Sequence, residues 1–268
     1  MLNKYLKYIF IFLGVLYCIG AGALYLKQDD LLFLPHPLDD NHVYRDGEEV
    51  SVPVEEGINL SCVNIQKPSS KGIILYLHGN KGNIRRCLRQ AYQFDVDSFD
   101  LFMPDYRGFG KSDGVNTSEA QMIGDVQAVF DFIVGEYQPK HIIVAGYSLG
   151  SGLASYLASK NQVDALFLVA PYTSLSDVKD MNGIPVPDFL MKYDFPSVQY
   201  LKDVHVPVTV IHAPDDEVIP FSCSETLKDN YPEKINLIQT SSVGHRGVIF
   251  DPLINTSLIN QLKSIQLY

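Results

Sequence analysis

Short apolar runs alternate with longer stretches of mixed polarity along most of this 268-residue chain. The runs are GIILYLH (72–78), FDLFMPD (99–105), HIIVAGY (141–147), ALFLVAP (165–171), VPVTVIHA (206–213) and INLIQT (235–240). Each is close to uninterrupted and rich in branched side chains, as a strand buried on both faces of a parallel sheet should be. Residues 83–94, 117–134, 149–160, 221–229 and 253–266 read as helices between them. Strands alternating with helices imply an α/β fold of βαβ units, with helices covering both faces of the sheet. EVSVPV and INLSCVNIQ, separated by EEG, read as a β-hairpin ahead of this series. Residues 172–204, rich in Pro and Tyr, break the alternation. The segment is too long for a simple loop and too short for a domain, so it reads as a small cap insertion over one sheet edge.

The N-terminus follows a different pattern. The 19 residues between Lys7 and Lys27 carry no charge, close to the ~20 needed to cross a bilayer core. Tyr8 and Tyr25 sit at their ends, as interfacial aromatics do. Two readings are open: a retained single-pass anchor, or a signal peptide cleaved after AGA (21–23). Lys4 and Lys7 outweigh Lys27, which Asp29 and Asp30 follow, so the positive-inside tendency puts the globular part on the non-cytoplasmic side. The chain thus divides into an anchor or signal (1–27), a connector (28–48) and a globular domain (49–268). In the connector, Leu31–Leu34 is expected to lie on the membrane or on the domain's own surface.

Composition narrows the function classes. Hydrophobic residues make up 46% and charged residues 19%, which describes an ordinary packed core. A net charge of −10, with no basic cluster, argues against nucleic acid as a partner. Beyond Cys18 in the apolar run, Cys62, Cys87 and Cys223 are odd in number and lack C-x-x-C spacing, so they read as small buried hydrophobes. GFGKS (108–112) ends like a phosphate-binding loop, but Asp105 stands where that loop needs glycine. No Cys/His cluster points to a metal, and no cofactor is expected.

GYSLGSG (146–152) supplies the candidate chemistry. A serine exposed at the C-terminal end of a parallel strand must turn sharply into the next helix. Small residues at Gly146 and Gly150, with Gly152 and Ala154, relieve that crowding. The hydroxyl of Ser148 needs a base, and the base needs an orienting acid. Of the histidines His36, His42, His78, His141, His205, His212 and His245, only His245 lies C-terminal to the acid candidates, in the loop after the last strand. Those candidates, Asp215 and Asp216, follow the strand 206–213, and Asp216 is favoured because it directly precedes EVIP. His78 and His212 end strands and are expected to bond backbone; the other four read as solvated or structural. A developing oxyanion calls for two backbone N–H groups. Leu149 follows the serine, and Asn80 lies in the glycine-bounded loop HGNKGN after the strand 72–78. A catalytically silent scaffold would be missing a nucleophile, base or acid, and all three are present.

LHGNKGN, PDYRGFGKSDG, GYSLGSG, HAPDDEVIP and GHRG, in that order, resemble the motifs of the α/β-hydrolase family, as does the chain order Ser, Asp, His. The likeness runs from about residue 29 to the C-terminal helix. DYRGFGKS (105–112) is similar to the family's D-x-R-G-x-G-x-S turn, a structural feature. HAP departs from the HG-x that relatives often carry before the acid. The resemblance implies a mostly parallel central sheet with an N-terminal hairpin and a short cap. It is strongest to single-anchor, minimal-cap members with an LLF-x-P-x-P segment, which include acyl-protein thioesterases, lysophospholipases and broad carboxylesterases. That implies hydrolysis of ester or thioester bonds in small-molecule or lipid acyl substrates, at a membrane held by the N-terminal helix. Peptidase or lactonase chemistry with the same three residues is the alternative. The cap residues Tyr172, Phe189, Met191, Tyr193 and Phe195 suggest lipophilic acyl groups.

Overall fold

The computed structural model describes residues 2–268, with side chains from residue 5 onward, so the side chain of Lys4 lies outside the described residues. Helix α1 (Leu2–Leu32) passes through the expected boundary at Lys27 without a break. Its segment Tyr5–Leu32 includes an 18-residue window of mean hydropathy 2.3 that the rest of the chain leaves uncovered, and is long and apolar enough to cross a membrane. Behind it, β1 (Leu34–Pro35) is followed by the hairpin β2 (Glu48–Glu55) and β3 (Ile58–Ile65), then β4 (Ile73–Leu77) and the two-residue β5 (Lys81–Gly82). Next come α2 (Ile84–Ala91), β6 (Asp100–Pro104), α3 (Glu119–Tyr137), β7 (Ile142–Tyr147), α4 (Leu149–Lys160) and β8 (Ala165–Val169). The insertion folds as α5 (Leu175–Met181) and α6 (Ser197–Tyr200) with 3₁₀ turns. After it run β9 (Val208–His212), α7 (Ser222–Asn230), β10 (Ile235–Gln239), α8 (Gly244–Val248) and α9 (Leu253–Ser264).

Eight strands form one sheet in the order β10-β9-β8-β7-β4-β6-β3-β2. The pairs from β10 to β6 are parallel, and β3 runs antiparallel to both neighbours. Every residue of β4, β7, β8 and β9 is buried, which is why those runs read as unbroken hydrophobics. Alternate residues serve opposite faces: Leu75 and Leu77 of β4 pack with Leu153 and Leu157 of α4, whereas Ile74 and Tyr76 pack with Phe94, Leu258 and Leu262. Fully burying a side chain of that size contributes about 1.5–3 kcal/mol. The chain crosses from one side of β4 to the other between β6 and β7. The crevice at such a reversal, outside the carboxyl ends of the strands, is where open α/β sheets place ligands.

The insertion departs from expectation. It packs onto α4 and not over a sheet edge: a β-carbon at Gly152 would stand 2.2 Å from the Tyr172 hydroxyl and 2.8 Å from Phe195 Cβ. Tyr172, Tyr193 and Phe195 are buried core residues, so they do not line a lipophilic pocket; of the five cap residues only Phe189, 84% exposed, is freely accessible. The start of α3 holds the segment in place. Glu119 accepts from the amides of Asp194 (2.6 Å) and Phe195 (3.0 Å) and from the Tyr200 hydroxyl (3.2 Å).

Helix α4 lies hard against the strand ends, and Gly146 and Gly150 allow it. A β-carbon at Gly146 would sit 2.3 Å from the carbonyl oxygen of Gly150, and one at Gly150 would sit 2.1 Å from that of Leu77. Both neighbours are backbone and cannot swing aside. Gly150→Ala is expected to cost at least the ~1–3 kcal/mol typical of overpacking. Thermal unfolding of the detergent-solubilised chain, followed by circular dichroism, should show a Tm several degrees lower.

Candidate active site

Ser148 stands on the turn from β7 into α4 with φ +52° and ψ −120°, a backbone conformation that non-glycine residues rarely adopt. Its amide donates to the Val169 carbonyl (3.0 Å) at the end of β8, and the Ser151 amide returns to its own carbonyl (2.9 Å). These bonds hold the strained turn and aim the hydroxyl away from the sheet. The serine is 8% exposed.

His245, in the first turn of α8, puts Nε2 3.0 Å from Ser148 Oγ and Nδ1 2.7 Å from Asp216 Oδ2. The carboxylate accepts at Nδ1, so that nitrogen carries the proton and Nε2 is free to accept from the serine. Residues 148, 216 and 245, separated along the chain, therefore form one hydrogen-bonded line. Asp215 is directed elsewhere, its Oδ1 accepting from the Gly244 amide (2.9 Å). Glu217 accepts from the His245 amide (3.0 Å), so two neighbours of Asp216 fasten the turn that presents the imidazole.

Asp216 is out of contact with solvent. Burial pushes its pKa up, but hydrogen bonds from His212 and His245, the nearby His245 charge and the Ile219 amide outweigh it and hold the carboxyl well below the ordinary range. Its Oδ1 takes the amides of Val218 (2.9 Å) and Ile219 (2.8 Å). Its Oδ2 is shared by His245 and His212, whose Nε2 lies 3.1 Å away and also 3.1 Å from the Ile219 carbonyl. Both partners of Nε2 are acceptors, so the proton sits on Nε2, and the Ser224 hydroxyl, 2.7 Å from Nδ1, donates to that nitrogen. The expectation that His212 bonds backbone thus holds only in part, because its ring also braces the acid.

Tyr147 is a second contributor that the sequence reading passed over. Its ring stacks on His245 (centroids 5.4 Å, interplanar 27°), and its hydroxyl donates to the His245 carbonyl (2.9 Å). Burial, with the Asp216 charge beside it, pushes the phenol up and keeps it neutral. Its place directly before the serine, at the end of a buried strand, was the available clue.

The loop after β4 crosses over the serine: a β-carbon at Gly79 would stand 3.5 Å from Ser148 Cβ. The Asn80 side chain faces away and donates to the Leu32 carbonyl (2.7 Å), while its carbonyl accepts from the Leu34 amide (2.9 Å). Among the described residues the amides of Asn80 and Leu149 have no hydrogen-bond acceptor. The loop rests on a buried pair, His78 Nε2 and Asp105 Oδ1, 3.3 Å apart. His78 Nδ1 also meets the Gly79 carbonyl at 2.7 Å, and burial raises the Asp105 pKa.

No group of three or more metal-binding side chains occurs among the described residues, and Cys62, Cys87 and Cys223 are buried free thiols. A cleft of about 1250 Å³ lined by Phe130, Val134, Ile142 and His205 opens at the opposite edge of the strands and includes none of the residues above.

Comparison with known proteins agrees with this architecture. The family model described as serine aminopeptidase, S33, matches residues 68–193, a stretch that contains Ser148 and stops short of Asp216 and His245. An alpha/beta hydrolase domain-containing protein 17C of Xenopus tropicalis is 29% identical over 243 residues, covering 85% of this chain and 72% of the relative. An uncharacterized protein of Mycobacterium tuberculosis is 29% identical over 205 residues, covering 74% of this chain and 72% of that protein. An esterase of Pyrococcus furiosus superposes with a TM-score of 0.69 over 87% of this chain and 97% of its own, and at 18% identity this likeness speaks for the fold. Sheet order, strand-to-helix serine turn and these likenesses together give the chain the α/β-hydrolase fold.

Proposed function

We propose that this hydrolase cleaves carboxylic ester or thioester bonds by way of an acyl-enzyme. Ser148 attacks the acyl carbonyl as its proton passes to Nε2 of His245, and Asp216 holds the imidazole in that tautomer and stabilises its charged form. The amides of Leu149 and Asn80 receive the oxyanion, each contributing about 3–4 kcal/mol of barrier lowering. His245 then protonates the leaving group. A water molecule attacks the acyl-serine with His245 as base again, releasing the acid and restoring the hydroxyl. The observation that carries this reading is the unbroken line from Ser148 Oγ to His245 to Asp216, at 3.0 and 2.7 Å. Asp215 and Glu217 favour esters over the aminopeptidase reaction, because they are engaged with backbone amides and not presented to an α-ammonium group. We further assign α1 as a retained anchor, for its length and apolarity, with the domain on the non-cytoplasmic side, for the excess of Lys4 and Lys7 over Lys27.

A fluorophosphonate probe should label the detergent-solubilised wild type and leave Ser148→Ala unlabelled; labelling that survives the substitution removes Ser148 from its role. Asp216→Asn is expected to lower kcat by about 10⁴-fold, through loss of the right imidazole tautomer. Asp215→Asn should change kcat far less, and equal losses in the two variants would contradict the assignment. The pH profile gives a third check. The depressed Asp216 pKa means that its stabilising charge is in place above the ordinary carboxylate range and is lost only on acidification well below it. From neutrality down to about pH 5 the carboxylate should therefore add no ionisation to the profile, so that log(kcat/KM) falls no more steeply than one proton, and a slope of two would show the carboxylate titrating.

A further inference from the structure

The tip of the insertion exposes apolar side chains that the core does not use: Met181 and Ile184 are each 48% exposed, and Phe189 is 84% exposed. Beside this tip the end of α1 is clasped. Gln28 Nε2 donates to the Leu190 carbonyl (2.6 Å), and the Lys192 amide donates to Gln28 Oε1 (2.8 Å). Lys192 Nζ pairs with Asp29 (2.6 Å) and lies 5.2 Å from the Tyr25 ring centroid, and the Tyr193 hydroxyl donates to Asp29 (2.9 Å). Phe33 packs edge-on against Tyr193 at 4.9 Å. The insertion is thus fastened to the last two turns of the helix.

That attachment sets a depth. The uncharged run of α1 ends at Lys27. At 1.5 Å per residue, Gln28 and Asp29 lie only about 5–6 Å along the axis from Tyr25. An aromatic ring and a lysine side by side at the end of an apolar helix occupy the headgroup level of a bilayer. Residue 189 is adjacent to Leu190, which bonds Gln28, so the tip stands at that same level.

We propose that the tip Met181–Phe189 beds in the lipid interface as a second, peripheral membrane contact beside the anchor; this rests on α1 spanning the bilayer. The contact is apolar and not electrostatic. Lys179 bonds both Asp180 (2.5 Å) and Asp188 (2.9 Å) on the tip, so no surplus of positive charge is left there for anionic headgroups. The tip is also joined to the acid loop of the active site. Asn182 Nδ2 donates to the Val218 carbonyl (3.4 Å), and Met181 Sδ lies 3.7 Å from Cys223 Sγ. Seating the tip therefore brings the loop that carries Asp216 to the bilayer surface, where acyl chains held in lipid are the substrates within reach.

The chain contains no tryptophan, so single-Trp variants report depth directly. Full-length Phe189→Trp, Ile184→Trp and Val134→Trp are reconstituted in phosphatidylcholine vesicles with plain or brominated acyl chains. Val134 is exposed on α3 beside the cleft at the amino-terminal ends of β7, β8 and β9 and serves as the control. Emission of Phe189→Trp and Ile184→Trp should drop at least twofold in brominated vesicles, while Val134→Trp stays unchanged. Unquenched emission at both tip positions, or equal quenching at all three, would overturn the proposal. Retention of the chain through an alkaline wash reports on the anchor separately. A chain that stays on the vesicles with an unquenched tip sinks this inference alone, whereas a chain that washes off sinks the anchor assignment and the inference with it.

Discussion

The left-handed backbone of Ser148 is the constraint around which the rest of the site is arranged. A side chain held at φ +52° is tolerated only where its surroundings leave no alternative, and here they do so from three directions. The Val169 carbonyl takes its amide, α4 begins at the next residue, and the loop after β4 closes over it. The second and third of these approaches would be crowded by a single extra carbon, at position 146 against α4 and at position 150 against the carbonyls of Leu77 and His78. The two glycines are therefore packing requirements of the helix–strand junction, and a hydroxyl turned away from the sheet is the by-product of meeting them.

The acid shows a related economy. Asp216 is buried, yet its carboxylate collects two amides and two imidazoles, which offset the loss of hydration and keep it charged. His212 has Ser224 on its other side and so acts as a fixed donor in place of a free base. With one imidazole immobilised and the other facing the serine, two histidines of similar chemistry are given different tasks by their partners alone.

The sheet was legible because strands covered on both faces must be almost wholly apolar, and β4, β7, β8 and β9, buried throughout, depart from that chiefly at Thr209 and His212. Ser148, His245 and the aspartate pair were legible because chain order and strand ends limit which residues can meet. Between Asp215 and Asp216 the sequence favours the latter by its place before EVIP, and tertiary geometry separates them by partner: Asp216 reaches the His245 ring and Asp215 the Gly244 amide. The continuation of α1 past Lys27 was hidden for a similar reason: Gln28 and Asp29 look like the start of a polar linker, and their partners at Leu190, Lys192 and Tyr193 lie far along the sequence. The aromatics of the insertion were misread because composition reports that rings are present but not which way they face. Tyr172, Tyr193 and Phe195 turn inward onto α4, whereas Phe189 turns out.

The short parallel pairing of β1 with β5 has a consequence for detachment. Leu34 and His36 donate to Asn80 and Gly82, Asn83 donates back to His36, and Asn80 reaches Leu32, so the strip leaving α1 is laced into the very loop that arches over the serine. A peptidase acting near Ala23 would cut α1 upstream of every one of those stitches and leave the loop supported. A cut beyond Pro37 would pull them out together. Shedding and disarming are thus different events, divided by where along a short ribbon the backbone is broken.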